Sequence, residues 1–172
     1  QSDLKKIIAY SSVSHLGFVV LGIFALQSTA ATGSVLQMVN HGLSTGALFL
    51  LIGMIYERAH VRGLADFGGL ARTMPRFAFC LVFATLSSIG LPGLNGFVGG
   101  FATLLGSFRD HPLAASLAVT GVLLGAIYML GLVKALLFGP VGNPKSATWR
   151  DLNGRELLLL APLFVLMVAI GF

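Results

Sequence analysis

Two histidines carry most of the chemistry this sequence offers. His15 lies inside an apolar run, with Ser11 one turn before it and Ser12 and Ser14 close by. His41 lies in the next run, flanked by Asn40, with Gln37 one turn earlier and Ser44 and Thr45 just after. In a helix, residues four apart share a face, so Ser11 stands above His15. Imidazole takes up and releases protons near neutrality at little cost. Two such groups among hydroxyls and amides suit a proton wire. The same residues also suit a plainer role, as neutral histidines that hydrogen-bond neighbouring helices. Other chemistry is poorly served. His15, His41, His60 and His111 have no metal-ligand spacing, and a metal site is not expected. Gly90, Gly93, Gly96 and Gly99 follow no strand and do not form a dinucleotide-binding fingerprint. One cysteine, Cys80, cannot hold an iron–sulfur cluster or close an internal disulfide. No cofactor is expected in this chain.

The elements that must position these histidines are set by lipid. Of the 172 residues, 56% are hydrophobic and 10% charged, with a mean hydropathy of +0.90. Soluble domains carry about 25% charged residues, so a soluble enzyme, a disordered tail and a disulfide scaffold are excluded. Spanning the ~30 Å hydrocarbon core takes about 20 helical residues. Five runs meet or approach that length, at 7–27, 35–56, 77–108, 113–138 and 156–172. The predicted fold class is all-α, a polytopic transmembrane bundle with 1–172 as one transmembrane segment. The absence of an initiator Met and the end of the chain inside an apolar run lead us to expect a piece of a longer polytopic protein.

Residues 28–34 and 109–112 read as short turns, and 57–76 and 139–155 as longer basic loops. When sides alternate with each span, Lys5, Lys6, Arg58, Arg62, Arg72, Arg76, Lys134, Lys145, Arg150 and Arg155 fall on one side and Arg109 alone on the other. That asymmetry predicts cytoplasmic long loops and explains the net charge of +5 without a nucleic-acid partner. Lys134, near its helix end, reads as a snorkelling side chain. On this topology His15 lies about 12 Å below the cytoplasmic surface and His41 about 21 Å. The ~9 Å axial gap predicts a link through Ser44, Thr45 and water rather than direct contact.

The third run, 77–108, is too long for one span. At its middle stand Gly90, Pro92, Gly93 and Gly96. Proline removes a backbone donor and collides with the preceding turn, and glycine loosens the remainder. An interruption is predicted between about Ile89 and Gly96, with the gap turned toward protein because lipid cannot satisfy freed backbone groups. Interrupted helices mark ion or substrate sites in transporters, and a packing kink is the plainer alternative.

The stretch from Ser2 to Gly17, with Gln37–Ser44, Tyr56–Arg62, Gly68–Leu70 and Gly90–Gly93, resembles the antiporter-like membrane subunits of respiratory complex I, the M type (mitochondrial chain 4 type) in particular. The resemblance runs over nearly the whole chain and weakens after about Gly139. It implies a fold of about fourteen helices built from two inverted repeats, each with a broken helix, with this chain at the tenth to fourteenth. It further implies a subunit of a proton-pumping NADH–quinone oxidoreductase in the bacterial plasma membrane. Its partners would be other membrane-arm subunits and the lipid bilayer, with no NADH bound directly. By the resemblance His15 and His41 match buried histidines of a central polar axis. One position departs: M-type subunits read Gly-Glu-Phe after the broken segment, and here Gly100 stands where the glutamate is expected. Related readings are a subunit of a multi-subunit cation/proton antiporter or of a membrane-bound hydrogenase. A non-conducting membrane scaffold is a reading of a different class.

Overall fold

The computed structural model describes residues 2–140, 146 and 148–172. Among these, the regular structure is helical, apart from an isolated bridge between Asp3 and Gly63. The helices are α1 (Leu4–Phe24), α2 (Ser28–Ala59), α3 (Leu70–Thr73), α4 (Pro75–Ile89), α5 (Asn95–Asp110), α6 (Pro112–Leu137) and α7 (Gly154–Gly171). Helices α1, α2, α6 and α7 are long and apolar enough to cross a membrane, and α4 is a shorter apolar helix. The polytopic all-α bundle expected from the runs of hydrophobic residues is therefore the observed fold.

Helix α2 is the central post. It packs on α1, α4, α5 and α7, and its seam with α5 is built from small residues. Gly106 lies against Ala30, and Gly33 against Ala102 and Thr103. Gly99 leaves no room between its backbone and the side chains of Gln37 and Asn40. Small residues let two membrane helices approach closely, where dispersion replaces the hydrophobic effect as the driving force.

That seam explains one departure from expectation. Residues 28–34 were predicted as a short turn connecting two apolar runs, yet they form the first two turns of α2. Gln27 caps the helix, its side-chain oxygen accepting the Ala30 N–H at 2.9 Å. Ala30 and Gly33 then pack beneath α5, so tertiary contact overrides local propensity. The connection between α1 and α2 is only residues 25–27. As a result α2 is 32 residues long, about 48 Å, and projects beyond the hydrocarbon.

The predicted interruption is present. Helix α4 stops at Ile89 and α5 starts at Asn95. Gly90 adopts φ +84, and its N–H and that of Leu91 return to Ser87 O and Leu86 O. This pairing satisfies the last carbonyls of α4. Leu91-Pro92-Gly93-Leu94 then closes a tight turn, Leu94 N donating to Leu91 O at 3.1 Å with Gly93 at φ +89. Proline second and a positive-φ glycine third are what such a turn requires. The gap was expected to face protein rather than lipid. Gly93 and Leu94 pack on Gly171 and Phe172 at the end of α7, whereas Leu91 and Pro92 are exposed. The turn can tolerate this because its own hydrogen bonds leave little backbone to satisfy.

The opposite ends of α2, α4 and α7 are tied together by charge. Arg58 donates to both carboxylate oxygens of Glu156, at 2.9 and 2.7 Å, and to the carbonyls of Met54 and Arg150. Asp151 accepts the N–H groups of Arg76 and Phe77 at the start of α4. Asn153 and Glu156 form a capping box on α7. Of the predicted basic loop 139–155, residues 141–145 and 147, Lys145 among them, lie outside the described residues.

Candidate functional site

Histidines from α1 and α2 meet in the middle of the bundle. The ring centroids of His15 and His41 are 4.9 Å apart with planes inclined by 34°, and both side chains are half-buried. This corrects the expectation of an indirect link. The seven residues 28–34 belong to α2 rather than to the turn, so His41 is the fourteenth residue of its helix. Measured from the 25–27 connection, His41 then lies about 20 Å along α2 and His15 about 14 Å along α1. The remaining offset is short enough for two rings to close.

Ser44 and Thr45 were expected to bridge the two rings, and their places differ. The Thr45 hydroxyl lies 3.1 Å from His41 Nδ1, one turn along the same helix. Ser44 turns back on its own helix, donating to Asn40 O at 3.1 Å and to His41 O at 3.4 Å. Ser11 is likewise returned to the backbone, donating to Ile8 O at 2.7 Å. It lies beside the buried Tyr128 hydroxyl of α6, a neighbour that a reading by helix face could not supply.

A cavity of about 190 Å³ adjoins this pair. Its wall includes His15 and Ser14 from α1, Gln37 from α2, Ser88 and Gly90 from the end of α4, Gly96 and Gly100 from α5, and Tyr128 from α6. The Gln37 Oε1 and Ser88 Oγ atoms are buried and have no protein hydrogen-bond partner. Buried polar atoms of this kind are satisfied by water when the space allows it. Phe97 and Phe101, stacked at 5.2 Å, close one side. Gly100 borders the cavity, and a Cβ there would sit 3.9 Å from Gln37 Oε1 with open space otherwise. The interruption therefore helps to form the cavity: Gly90 and Gly96 line it, while Pro92 and Gly93 make the turn that ends the helix.

Sequence reasoning passed over a knot of buried amides. Asn95, the first residue of α5, accepts a hydrogen bond at its carbonyl from Asn40 Nδ2 at 2.6 Å. Its own Nδ2 donates to Asn40 O at 3.2 Å, and its Oδ1 accepts from Ser87 Oγ at 2.6 Å. The available signal was an asparagine placed in an apolar run two residues after Pro92-Gly93. No group of three or more metal-ligating side chains occurs among the described residues.

An interrupted span, histidines paired between antiparallel helices and a cavity bordered by unpartnered polar atoms define a membrane-embedded, antiporter-like helix bundle. The family described as NADH:quinone oxidoreductase/Mrp antiporter, transmembrane, matches residues 1–125. The chain belongs to that family. NADH-quinone oxidoreductase subunit M of Rickettsia bellii is 43% identical over 171 residues, which cover 99% of this chain and 35% of that protein. Subunit M of Rhodobacter capsulatus is 44% identical, covering 99% and 33%. Respiratory complex I from Thermus thermophilus superposes with a TM-score of 0.90 at 34% identity, covering 99% of this chain and 36% of the matched one. An archaeal membrane-bound sulfane sulfur reductase follows at 0.86 and 25%, covering 99% and 28%. The chain thus spans about a third of the length of these relatives.

Proposed function

We propose that this chain supplies part of a transmembrane proton path in a proton-pumping NADH–quinone oxidoreductase, as the C-terminal-half portion of a subunit of the M type. The observation that carries the reading is the His15–His41 contact, ring to ring at 4.9 Å, beside a cavity with unpartnered buried oxygens. Ionisable groups inside a membrane are expensive and are retained where they serve a path. Water in the cavity would connect His15 with Gln37, Ser88 and the backbone at Gly90. Ser11, Ser44 and Thr45 act as hydroxyls beside this route, Thr45 by holding the His41 ring. The redox reaction belongs to other subunits of the assembly, so the partners are membrane-arm subunits and lipid, and this chain holds no cofactor. Gly100 favours a second reading, a non-conducting scaffold, since it offers no proton-accepting group on the cavity wall.

Both readings are separated by pumping in the reconstituted full-length assembly. With His41→Ala, NADH oxidation continues, proton flux through this route slows about tenfold, as expected when one relay step rises by ~1.4 kcal/mol, and protons pumped per NADH fall with it. An unchanged ratio would sink the proton path and leave the scaffold.

Sidedness is proposed from the basic asymmetry, with the ends carrying Arg58, Arg72 and Arg76 in the cytoplasm and residues 25–27 outside. Single cysteines at Leu26 and Ala65, both exposed, should react with a membrane-impermeant maleimide from opposite sides of sealed vesicles. Reaction of the Leu26→Cys variant from the cytoplasmic side would overturn the topology.

A further inference from the structure

The polar knot at the helix break is joined to the residue that precedes His41, and it does more than cap α5. Asn95 is fully buried at the point where the α2–α5 seam meets the interruption. Through its carboxamide it touches α4 by Ser87 and α2 by the Asn40 carbonyl. That carbonyl also accepts the Ser44 hydroxyl, so two side-chain donors from different helices converge on one peptide group. The same peptide group leads directly into His41. Its orientation fixes the rotation of α2 at the point where the His41 ring leaves the helix toward His15 and Thr45. Asn40 itself is held from the other direction, its Nδ2 donating to Asn95 O while its Oδ1 is buried without a partner. The link is reciprocal, spans 55 residues of sequence and joins the break to the histidine pair.

At the break α4 and α5 are separate helices, joined by a turn in which Gly90 and Gly93 hold conformations that other residues rarely adopt. Beyond it, α5 is fixed to α2 along the small-residue seam. A shift of α4 against α5 would therefore strain the Ser87–Asn95 bond first, and through Asn95 the Asn40 peptide group. Proton transfer between side chains needs hydrogen-bond reach near 3 Å, and a misplacement of about 1 Å can cost a hundredfold in rate. A small movement at the break is thus large on the scale of the relay.

We propose that Asn95 is a positioning residue that passes the conformation of the helix break to the His15–His41 pair through the Asn40 peptide group. The proposal rests on the relay reading above, and the test separates their failures. In the reconstituted full-length assembly, Asn95→Ala removes the donor to Asn40 O and the acceptor for Ser87. Protons pumped per NADH should fall about fivefold, the lower end of couplings between sites, with the amount of assembled complex unchanged. Ser87→Ala leaves the link to α2 in place but cuts the one to α4, so it should lower the ratio by a similar factor. In a His41→Gln background, Asn95→Ala should lower the ratio no further, because the two act on one step. Multiplying effects in that double variant would overturn the proposal, as would a parental ratio in Ser87→Ala beside a defective Asn95→Ala. If Asn95→Ala fails to assemble, Asn95→Asp, which loses the donor and keeps the acceptor, is read by the same criteria. An intact ratio in the assembled Asn95 variant alongside a defective His41→Ala rejects this inference alone. An intact ratio in His41→Ala rejects the relay reading itself.

Discussion

Gly96→Ala will disrupt the subunit, while Gly100→Ala, one turn further along the same helix, will leave it unharmed. A Cβ at Gly96 would collide with the Ser87 carbonyl oxygen and crowd Gly90 Cα. Both neighbours are backbone, and both belong to the turn that ends α4, so no flexible side chain can move aside. Overpacking in a well-packed site costs about 1–3 kcal/mol, and occasionally more. With backbone on both sides the upper end applies, about 3 kcal/mol. At Gly100 the nearest neighbour of a Cβ is Gln37 Oε1 at 3.9 Å, an ordinary contact. Alanine there gains helix propensity of up to ~1 kcal/mol over glycine. Thermal unfolding of the purified full-length assembly, with the amount recovered from membranes, measures both. A stable Gly96→Ala protein would mean that α4 and α5 do not approach as closely as the structure has them.

The contrast shows why some of the site could be read from sequence and some could not. The helix break was legible because its cause is local: Pro92 and the flanking glycines act within a few residues of themselves. The histidines were legible as chemistry, since an ionisable side chain in an apolar run is conspicuous wherever it points. Their distance was not legible. It depends on where α2 begins, and Ser28–Ser34 has the composition of a turn while its small residues are used for packing beneath α5. Periodicity cannot report a choice made by a partner helix 70 or so residues away. Asn95 shows the same limit. Its residue type was visible, but its partner Asn40 lies 55 residues earlier, and only the folded seam brings the two amides together. The cavity wall draws on five helices, α1, α2, α4, α5 and α6, which no single run of sequence encodes.

Arg58→Ala will destabilise the fold more than any other single change at the charged end of the bundle. The Arg58 and Glu156 side chains are only 15% and 12% exposed, and the pair is bidentate, at 2.9 and 2.7 Å. Planar fork-to-fork pairing is the strong form of this interaction. Its value here lies less in Coulomb attraction than in what alanine would strand. Glu156 would keep its bond to the Asn153 N–H but lose its counter-charge in a largely desolvated place, and the Met54 and Arg150 carbonyls would lose a donor. Removing one partner of a buried pair typically costs 3–5 kcal/mol, and the residual exposure places this one near the lower figure, about 3 kcal/mol. Three helices feel the change, because Arg58 closes α2, Glu156 opens α7, and the intervening Asp151 caps α4. Glu156→Gln is the discriminating companion. It keeps one acceptor for Arg58 and removes the charge, so it should cost about half as much, in line with a charge-assisted hydrogen bond worth ~1.5–3 kcal/mol. Thermal unfolding of the full-length assembly reads both variants. Equal stability of Arg58→Ala and the parent would show that the clamp is not what holds α2, α4 and α7 together.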